Sequence, residues 1–172
     1  MVKIGVAGAY GAFGLKHLDA LANIPNAEVT AVFGPNKDKI EALATERDIA
    51  SACSSFDAFL AADVDAVILS TPTQMHAEQS VQAMEAGKHT FSEIPMADSL
   101  EDAETMVAAQ ERTGVVGMVG HVRRFNPSHQ YIRNKIDAGE FNIQQMAAQT
   151  YFFRRSNLNA EGEPRSWTDH LL

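Results

Sequence analysis

Three evenly spaced glycines directly after the first strand-like run limit what this chain can fold into more than any other feature. The run Lys3–Ala7 is short and apolar, and Gly8, Gly11 and Gly14 follow it. Apolar residues then recur at helical spacing over 12–23. A strand that enters a helix through such a turn packs closely against it and presents backbone N–H groups at the positive end of the helix. The segment therefore predicts a strand–turn–helix unit that can bind an anion.

The remainder of the chain repeats this alternation of strands and helices. Helical spacing is clear over Leu100–Arg112, where Ser99 is placed as N-cap, Asp102 follows three residues later and Gly114 stands just beyond the end. Strands joined by helices form right-handed crossovers and a parallel sheet. The sequence thus predicts an α/β fold of the Rossmann type, with a doubly wound parallel sheet. The further strand-like runs are Val29–Phe33, Ala66–Leu69, His89–Phe91 and Val115–Val119.

Charge and cysteine content exclude several classes of function. The 172 residues carry a net charge of −8, which disfavours nucleic acid and anionic membranes as partners. Cys53 is the single cysteine, so no intrachain disulfide is expected, and no spacing of Cys and His indicates a metal site. No leader peptide is recognised, and no apolar run reaches the roughly 18 residues that a membrane span needs. A cytoplasmic protein is expected.

The glycine turn also indicates a dinucleotide ligand. In the fingerprint G-x-G-x-x-G, glycines let the backbone approach a pyrophosphate. Here the spacing is G-x-x-G-x-x-G, so the turn carries one extra residue. A turn that serves only the fold is the alternative, and the surrounding strands and helices favour cofactor binding over it. The residues predicted to bind the cofactor in this segment are Gly8, Tyr10, Gly11, Ala12 and Phe13.

The end of the second strand bears on the choice of cofactor. A carboxylate at this point normally binds the ribose 2′-hydroxyl and repels a 2′-phosphate. This strand instead runs into Gly34, and Asn36, Lys37 and Lys39 follow closely. The missing anion favours NADP, with NAD also possible. The alternative interpretation is that the lysines are a solvated helix start.

Two further segments follow strands, at the edge where open α/β sheets bind ligands. Thr71 and Pro72 come after one strand, and His76 lies in the helix that begins there. A lone histidine in such a place is more often a hydrogen-bonded structural residue than a catalyst. Glu93 follows the next strand and precedes Pro95, whose peptide bond can be cis or trans. We predict that Thr71, Pro72, His76 and Glu93 line the cofactor site.

The alternation ends near residues 120–125. Asn126 and Pro127 are placed as N-cap and first residue of a helix that Gly139 ends, and the run 143–153 is strand-like in its second half. We predict an NAD(P)-binding Rossmann domain over 1–121. Residues 122–172 are predicted to begin an α+β substrate and oligomerisation domain. One strand cannot form an independent sheet, so this second domain is expected to be truncated.

These segments resemble the glucose-fructose oxidoreductase and inositol dehydrogenase family over the whole chain. The resemblance rests on the glycine turn, the T-P-x-x-x-H segment Thr71–His76, the E-x-P segment Glu93–Pro95 and the R-F-N-P segment Arg124–Pro127, which have the family's order and spacing. It implies an NAD(P)-dependent dehydrogenase. It also implies an open antiparallel sheet after the Rossmann domain, which forms the substrate site and often an oligomer interface. A homo-oligomer is expected where that second domain is complete.

One position departs from the family pattern. The lysine that the family places at the reacting hydroxyl is Ile94 here, and isoleucine neither donates a hydrogen bond nor moves a proton. The resemblance then leaves Glu93 to shape the nicotinamide side of the site. His121 becomes the candidate general base, because histidine titrates near neutral pH. Glu93 and His121 are the predicted catalytic residues.

The stretches TPTQMHAEQ, EIPMADS and RRFNPSHQY are similar to a branch of the family that oxidises the hemiacetal of a semialdehyde dicarboxylate. A hemiacetal hydroxyl is more acidic than a simple alcohol, so this chemistry tolerates the loss of the lysine. A small dianionic substrate also suits a cluster of arginines that includes Arg155, because guanidinium pairs bidentately with carboxylate. Surface ion pairs are the alternative role for each arginine. The predicted substrate-binding residues are Arg123, Arg124, Asn126, Arg154, Arg165 and His170.

Three functions remain open at this point. The first is an NADP-linked dehydrogenase of a small anionic hemiacetal, and the second is a sugar or polyol dehydrogenase of the same family. The third is a cofactor-binding module without turnover, which Ile94 and an incomplete second domain favour. On either enzymatic interpretation, we expect this 172-residue chain to bind cofactor but to turn over its substrate poorly.

Overall fold

The computed structural model describes residues 1–147 and 149 of the chain. The strands in this part are β1 Val2–Ala7, β2 Ala27–Phe33, β3 Ser51–Cys53, β4 Ala66–Leu69, β5 His89–Ser92 and β6 Gly117–Val119. The helices are α1 Ala12–Leu21, α2 Lys37–Glu46, α3 Phe56–Leu60, α4 Thr73–Glu85, α5 Leu100–Thr113 and α6 Pro127–Asp137, with a 3₁₀ turn at Val122–Phe125. None of the helices described is long and apolar enough to cross a bilayer.

The strands form one parallel sheet in the order β3-β2-β1-β4-β5-β6. β1 lies at the centre, paired with β2 on one side and β4 on the other. Chain order therefore reverses between β1 and β4, and this switch point opens a crevice at the carboxyl ends of the two strands. The predicted Rossmann-like sheet is confirmed.

Alternating side chains on the central strands build one apolar core on each face of the sheet. Val6 and Val32 point to the face covered by α1 and α2, where they pack with Leu18 and Ile40. All four side chains are nearly or fully buried. Because β1 is apolar on both faces, it is locked at the centre of the domain.

The opposite face holds a cluster of phenylalanines. Phe59 is fully buried, and its ring centroid lies 5.9 Å from that of Phe33 and 5.7 Å from that of Phe56. A Cβ at Gly5 would stand 2.7 Å from the Phe59 ring, so the glycine in β1 makes room for the aromatic side chain above it. Dense packing of this kind fixes the positions of the strand ends that carry the site.

The ends of α5 follow the expected capping chemistry. The Asp102 backbone N–H donates to the Ser99 hydroxyl, which in turn donates to the Asp102 carboxylate at 2.7 Å. Gly114 ends the helix with φ of 70°, in the left-handed region. At α6, Asn126 caps the first turn by accepting from the Ser128 backbone N–H, and Pro127 stands in the first helical turn.

Several boundaries differ from the sequence expectations by one or two residues, among them the starts of β1 and β2 and the ends of β5 and α5. The first helix ends at Leu21 rather than Asn23, because the Asn23 N–H bonds to the Ala20 carbonyl and tightens the chain into a final turn. The last strand begins at Gly117 rather than Val115, whose carbonyl accepts from the Gln110 side chain. Residues 143–147 are neither helix nor strand, and most of the second half of the predicted strand 143–153 lies outside the described residues.

The chain divides into two compact units, each described by itself. In the described part, the first unit is 1–120 and contains the whole parallel sheet. The second begins at His121 and contains the 3₁₀ turn and α6. The candidate cofactor residues lie in the first unit, and the described candidate substrate residues lie in the second.

Candidate functional site

The glycine turn after β1 is fixed by backbone hydrogen bonds to the end of β2. The Gly8 and Ala9 N–H groups both donate to the Phe33 carbonyl, at 2.9 and 3.2 Å. Gly8 has φ of 70°, and a Cβ there would lie 2.5 Å from the Ser70 carbonyl oxygen. The turn is therefore wedged between the ends of β2 and β4, and only glycine fits at its first position.

The first turn of α1 is open to an anion. Gly11 is the N-cap, no side chain caps the helix, and its first turn holds no acidic residue. Backbone N–H groups at such an end need an acceptor, and the helix dipole favours a negative one. Ala12 and Phe13 of this turn are exposed. These features fit the pyrophosphate of a dinucleotide.

The two later glycines of the turn serve different purposes. A Cβ at Gly14 would overlap the Gly8 carbonyl oxygen and stand 2.7 Å from Ala9 Cα, so this glycine lets α1 pack on the turn. A Cβ at Gly11 would meet only the Gly8 carbonyl oxygen, at 3.0 Å. Gly11 therefore faces open space, where its missing side chain leaves room for a ligand.

The end of β2 carries no carboxylate before α2 begins. Gly34 is buried, and Asn36 caps α2 by accepting from the Lys39 N–H at 3.0 Å. Lys37 begins α2 and is exposed, with its ammonium 3.7 Å from Glu41. The ring of Tyr10, from the glycine turn, lies against Gly34. Tyr10, Gly34, Asn36 and Lys37, all predicted from sequence, therefore come together at this strand end.

His76 ties together two loops at the carboxyl end of the sheet. It is 1% exposed; Nε2 lies 2.8 Å from the Thr71 carbonyl oxygen and Nδ1 lies 2.8 Å from the Pro95 carbonyl oxygen. A carbonyl oxygen only accepts, so a doubly protonated ring donates to both loops and a neutral ring donates to one. Pro72 is exposed at the start of α4, and the Thr71 hydroxyl donates to Gln79 at 2.6 Å. Both His76 nitrogens are therefore engaged by the protein itself.

Glu93 is held at the end of β5 by a residue of α1. One carboxylate oxygen lies 2.7 Å from His17 Nε2, and the other accepts from the Ile94 N–H at 3.3 Å. The His17 ring also stands edge-on to Phe91, with centroids 5.5 Å apart. The Glu93 side chain is 12% exposed, and the following Ile94–Pro95 peptide bond is cis. The carboxylate is thus fixed between the glycine-turn helix and the loop after β5.

His17 and Gln79 are candidate site residues that sequence reasoning missed. His17 lies 76 positions before Glu93, and no local pattern connects the two. The polar residues of α4 carried a weak signal, because Gln79 and Ser80 are buried on a face that the helical spacing assigns to the core. A buried polar side chain needs a partner, and Gln79 finds it in the loop after β4.

The second unit carries the described residues that were predicted to contact substrate. His121, Arg123 and Arg124 are exposed around the 3₁₀ turn, where the Arg124 N–H donates to the His121 carbonyl at 2.9 Å. The Asn126 side-chain oxygen is engaged in capping α6, because it accepts from both the N–H and the hydroxyl of Ser128. The remaining predicted residues lie outside the described residues: Arg154, Arg155, Arg165 and His170.

Cys53 is not a candidate nucleophile. It is buried at the end of β3, and burial raises the pKa of its thiol. The thiolate is the reactive form, so a raised pKa leaves the side chain inert near neutral pH.

Together, the loops after β1, β2, β4 and β5 gather these groups around the switch point of the sheet. An uncapped helix end, a glycine with an open face and a fixed carboxylate fit a dinucleotide whose pyrophosphate lies on α1. The fold and this site define a dinucleotide-binding domain of the Rossmann type.

Comparison with known proteins identifies the family. Residues 2–121 match the Gfo/Idh/MocA oxidoreductase family with its NAD-binding Rossmann fold. Residues 127–172 match the C-terminal region of bacterial oxidoreductases. The chain belongs to the Gfo/Idh/MocA oxidoreductase family, which confirms the resemblance stated from sequence.

Two curated relatives are informative. Over 172 residues the chain is 56% identical to 4-carboxy-2-hydroxymuconate-6-semialdehyde dehydrogenase of a Sphingobium strain, which covers 99% of this chain and 54% of that protein. It is 34% identical over 141 residues to scyllo-inositol 2-dehydrogenase (NAD(+)) of Bacillus subtilis, which covers 81% of this chain and 41% of that protein. The chain thus spans about half the length of the curated relatives it matches.

Solved structures share the fold. Scyllo-inositol dehydrogenase from Lactobacillus casei, crystallised with bound NAD(H) and scyllo-inositol, matches with a TM-score of 0.77 and 29% identity, over 81% of this chain and 42% of that one. The WlbA dehydrogenase from Bordetella pertussis, in complex with NADH and UDP-GlcNAcA, also has a TM-score of 0.77, with 30% identity over 81% of this chain and 40% of that one.

The different roles of the glycines give a first prediction. Gly11→Val should weaken dinucleotide binding at least about a hundredfold, or about 2.7 kcal/mol, because a branched side chain fills the space where the backbone meets the pyrophosphate. The fold should survive, since only one atom crowds that Cβ. Calorimetric titration with NADP and NAD, together with a thermal melt by circular dichroism, measures both effects.

The same substitution at Gly14 is the matched control. Gly14→Val pushes a side chain into the backbone of residues 8 and 9 and should lower the melting temperature markedly, as overpacking does. Unchanged cofactor affinity in Gly11→Val would show that all three glycines serve only the fold.

Proposed function

We propose that this chain is the cofactor-binding part of an NADP-linked dehydrogenase. The proposed reaction oxidises the cyclic hemiacetal of 4-carboxy-2-hydroxymuconate-6-semialdehyde to 2-pyrone-4,6-dicarboxylate. The observation that carries the proposal is the 56% identity, over 99% of the chain, to the Sphingobium dehydrogenase of that semialdehyde. The site geometry supports it, because the groups around the switch point suit a dinucleotide.

The oxidation removes one hydrogen of the substrate as a hydride and another as a proton. A dinucleotide held at the turn after β1 would supply a nicotinamide ring as acceptor for the hydride of the hemiacetal C–H bond, and a base of the protein would take the hydroxyl proton as the lactone carbonyl forms. We propose His121 as that base, because a neutral imidazole has a ring nitrogen that can accept the proton. Ile94 moves no proton, and a hemiacetal hydroxyl needs only a weak base, so the substrate class and the residue agree.

Glu93 has a fixed carboxylate in this scheme. His17 and the Ile94 N–H hold its two oxygens, so the side chain keeps one orientation at the end of β5. We propose that it borders the nicotinamide, with Thr71, Pro72 and His76 forming the adjoining loop. Preorganised polar groups of this kind orient a reactive ring without reorganising during the reaction.

The substrate would be recognised by its two carboxylates. Arg123 and Arg124 are exposed on the 3₁₀ turn of the second unit. Guanidinium groups bind carboxylate bidentately, so two adjacent arginines suit a dianionic substrate. We propose Arg123 and Arg124, with Asn126, Arg154, Arg165 and His170, as the substrate-binding set.

The division into domains and the assembly of subunits are part of the same proposal. Residues 1–121 would form the NADP-binding domain and residues 122–172 would begin the substrate domain. The sheet of that second domain would also hold subunits together in a homo-oligomer. The match of residues 127–172 to the C-terminal region of bacterial oxidoreductases supports this division.

A second candidate is a dehydrogenase of a neutral polyol. The 34% identity to the scyllo-inositol enzyme of Bacillus subtilis favours it, as does the fold match to the Lactobacillus casei enzyme. Such an enzyme would oxidise scyllo-inositol and ignore the semialdehyde. Ile94 counts against it, because a simple alcohol is a weak acid and gains most from a basic partner.

The cofactor preference is directly measurable. We expect the chain to bind NADP more tightly than NAD, because Gly34 replaces the carboxylate that repels a 2′-phosphate. Titration calorimetry with each dinucleotide gives the two dissociation constants. Tenfold tighter binding of NAD, equal to about 1.4 kcal/mol, would contradict this preference.

The substrate assignment is tested by hydride transfer. NADP reduction is followed at steady state with the semialdehyde and with scyllo-inositol, using the 172-residue chain and the same chain extended through a complete second domain. We expect turnover with the semialdehyde alone. The extended protein should have kcat/KM at least about a hundredfold higher, because positioning supplies several kcal/mol of the barrier reduction. Comparable values for the two proteins would mean that the shorter chain already contains the active site.

Arg133 provides a control for Arg124 within the same unit. In the extended protein, Arg124→Ala should raise KM for the semialdehyde about tenfold or more while leaving cofactor affinity unchanged, because a charge-assisted bond to a carboxylate is lost. Arg133→Ala removes an arginine that pairs with Asp137 on α6 and should leave both parameters unchanged. Equal effects of the two substitutions would argue against a substrate role for Arg124.

A further inference from the structure

Tyr10 occupies the extra position of the glycine turn, and its ring covers the end of β2. A Cβ built on Gly34 would overlap Tyr10 Cε1 and stand 3.0 Å from Cδ1 and Cζ. The Asn36 N–H donates to the Tyr10 hydroxyl at 3.2 Å, and the Lys39 ammonium lies 5.7 Å from the ring centroid. The ring therefore occupies the place where a Rossmann sheet usually presents an acidic side chain.

Backbone hydrogen bonds hold both the glycine turn and the end of β2 in place, so neither segment can shift freely to relieve a clash between Tyr10 and a side chain at position 34. The Phe33 carbonyl accepts from Gly8 and Ala9, which fixes the turn directly before Tyr10. The Gly34 N–H donates to the Cys53 carbonyl at 3.2 Å, which fixes the end of β2 against β3. Relief of a clash would have to come from the tyrosine ring itself, or from breaking one of these hydrogen bonds.

We propose that Tyr10 is a specificity-determining residue for the 2′ substituent of the adenosine ribose. Its ring excludes a side chain at position 34. An acidic side chain, which would repel a 2′-phosphate, is therefore excluded there as well. A phenol oxygen that accepts one hydrogen bond still has its own O–H to donate. That O–H is the donor offered to the 2′-phosphate. The proposal rests on the dinucleotide site of the proposed function and assigns the discrimination within it to Tyr10.

The charges around the ring agree with an anionic ligand. Lys37, Asp38 and Lys39 form the first turn of α2 and leave one positive charge in excess. Glu41 lies 3.7 Å from Lys37, but this pair is exposed and contributes little, so the Lys37 ammonium can exchange it for a phosphate. Lys39 already lies over the ring that bears the donating hydroxyl.

The steric part is tested without any cofactor. Gly34→Ala should lower the melting temperature of the chain, because its Cβ overlaps the ring. In the Tyr10→Ala background the same substitution should lower the melting temperature by less than about half as much, because residues in contact are coupled in a double-mutant cycle. Equal losses in the two backgrounds would overturn the claim that Tyr10 excludes side chains at position 34.

The specificity part is tested by titration calorimetry with NADP and NAD. Tyr10→Phe keeps the ring and removes the hydroxyl, so it should weaken NADP binding about tenfold more than NAD binding. Gly34→Asp should bind both dinucleotides weakly or fail to fold. Tyr10→Ala combined with Gly34→Asp should fold and bind NAD at least about tenfold more tightly than Gly34→Asp does.

A second tyrosine gives the matched control. Tyr131 in α6 has a lysine, Lys135, at the same 5.7 Å from its ring centroid, and Tyr131→Phe should leave both dissociation constants unchanged. Tight NAD binding by Gly34→Asp alone, or equal losses of NADP and NAD in Tyr10→Phe, would overturn the assignment to Tyr10. A wild-type chain without NADP preference would instead refute the cofactor named in the proposed function, while the melting cycle still decides whether the two positions exclude each other.

Discussion

The site depends on one acceptor, the carbonyl oxygen of Phe33, which receives the N–H groups of Gly8 and Ala9. These two bonds join the turn after β1 to the end of β2, and the helix that follows inherits its direction from them. Phe33 is itself anchored by its ring, which packs with Phe56 and Phe59 on the far face of the sheet. The uncapped first turn of α1 is thus positioned by an aromatic core on the opposite face of the sheet.

The other half of the site is held by histidine side chains in addition to the backbone pairing of β4 and β5. His76 connects the loop after β4 to the loop after β5, and His17 connects that second loop to α1. His17 reaches between α1 and the loop after β5, which share no strand pairing, whereas His76 extends the paired ends of β4 and β5 into their loops. Three side-chain contacts therefore link α1, the loop after β5 and the loop after β4 in series.

Local patterns were sufficient for most of the sheet and insufficient for the contacts between loops. Buried runs such as Ala66–Leu69 show in the sequence because both faces of a central parallel strand are apolar. β3 has only three residues, too few to show a pattern, and it was missed. The His17–Glu93 contact and the overlap of Tyr10 with Gly34 join distant positions, so only the folded chain reveals them. The sequence shows that Gly34 stands where a carboxylate is usual. The steric reason for a glycine there is the Tyr10 ring, which only the structure reveals.

The contact between Tyr10 and Gly34 also restricts the order in which substitutions can accumulate at this strand end. A side chain at position 34 meets the ring as long as the tyrosine is present, so the first viable change is a smaller residue at position 10. Only then does position 34 become free to vary. A change at position 34 made first would have to displace the ring, so substitutions at the two positions are expected to be coupled in their effect on stability.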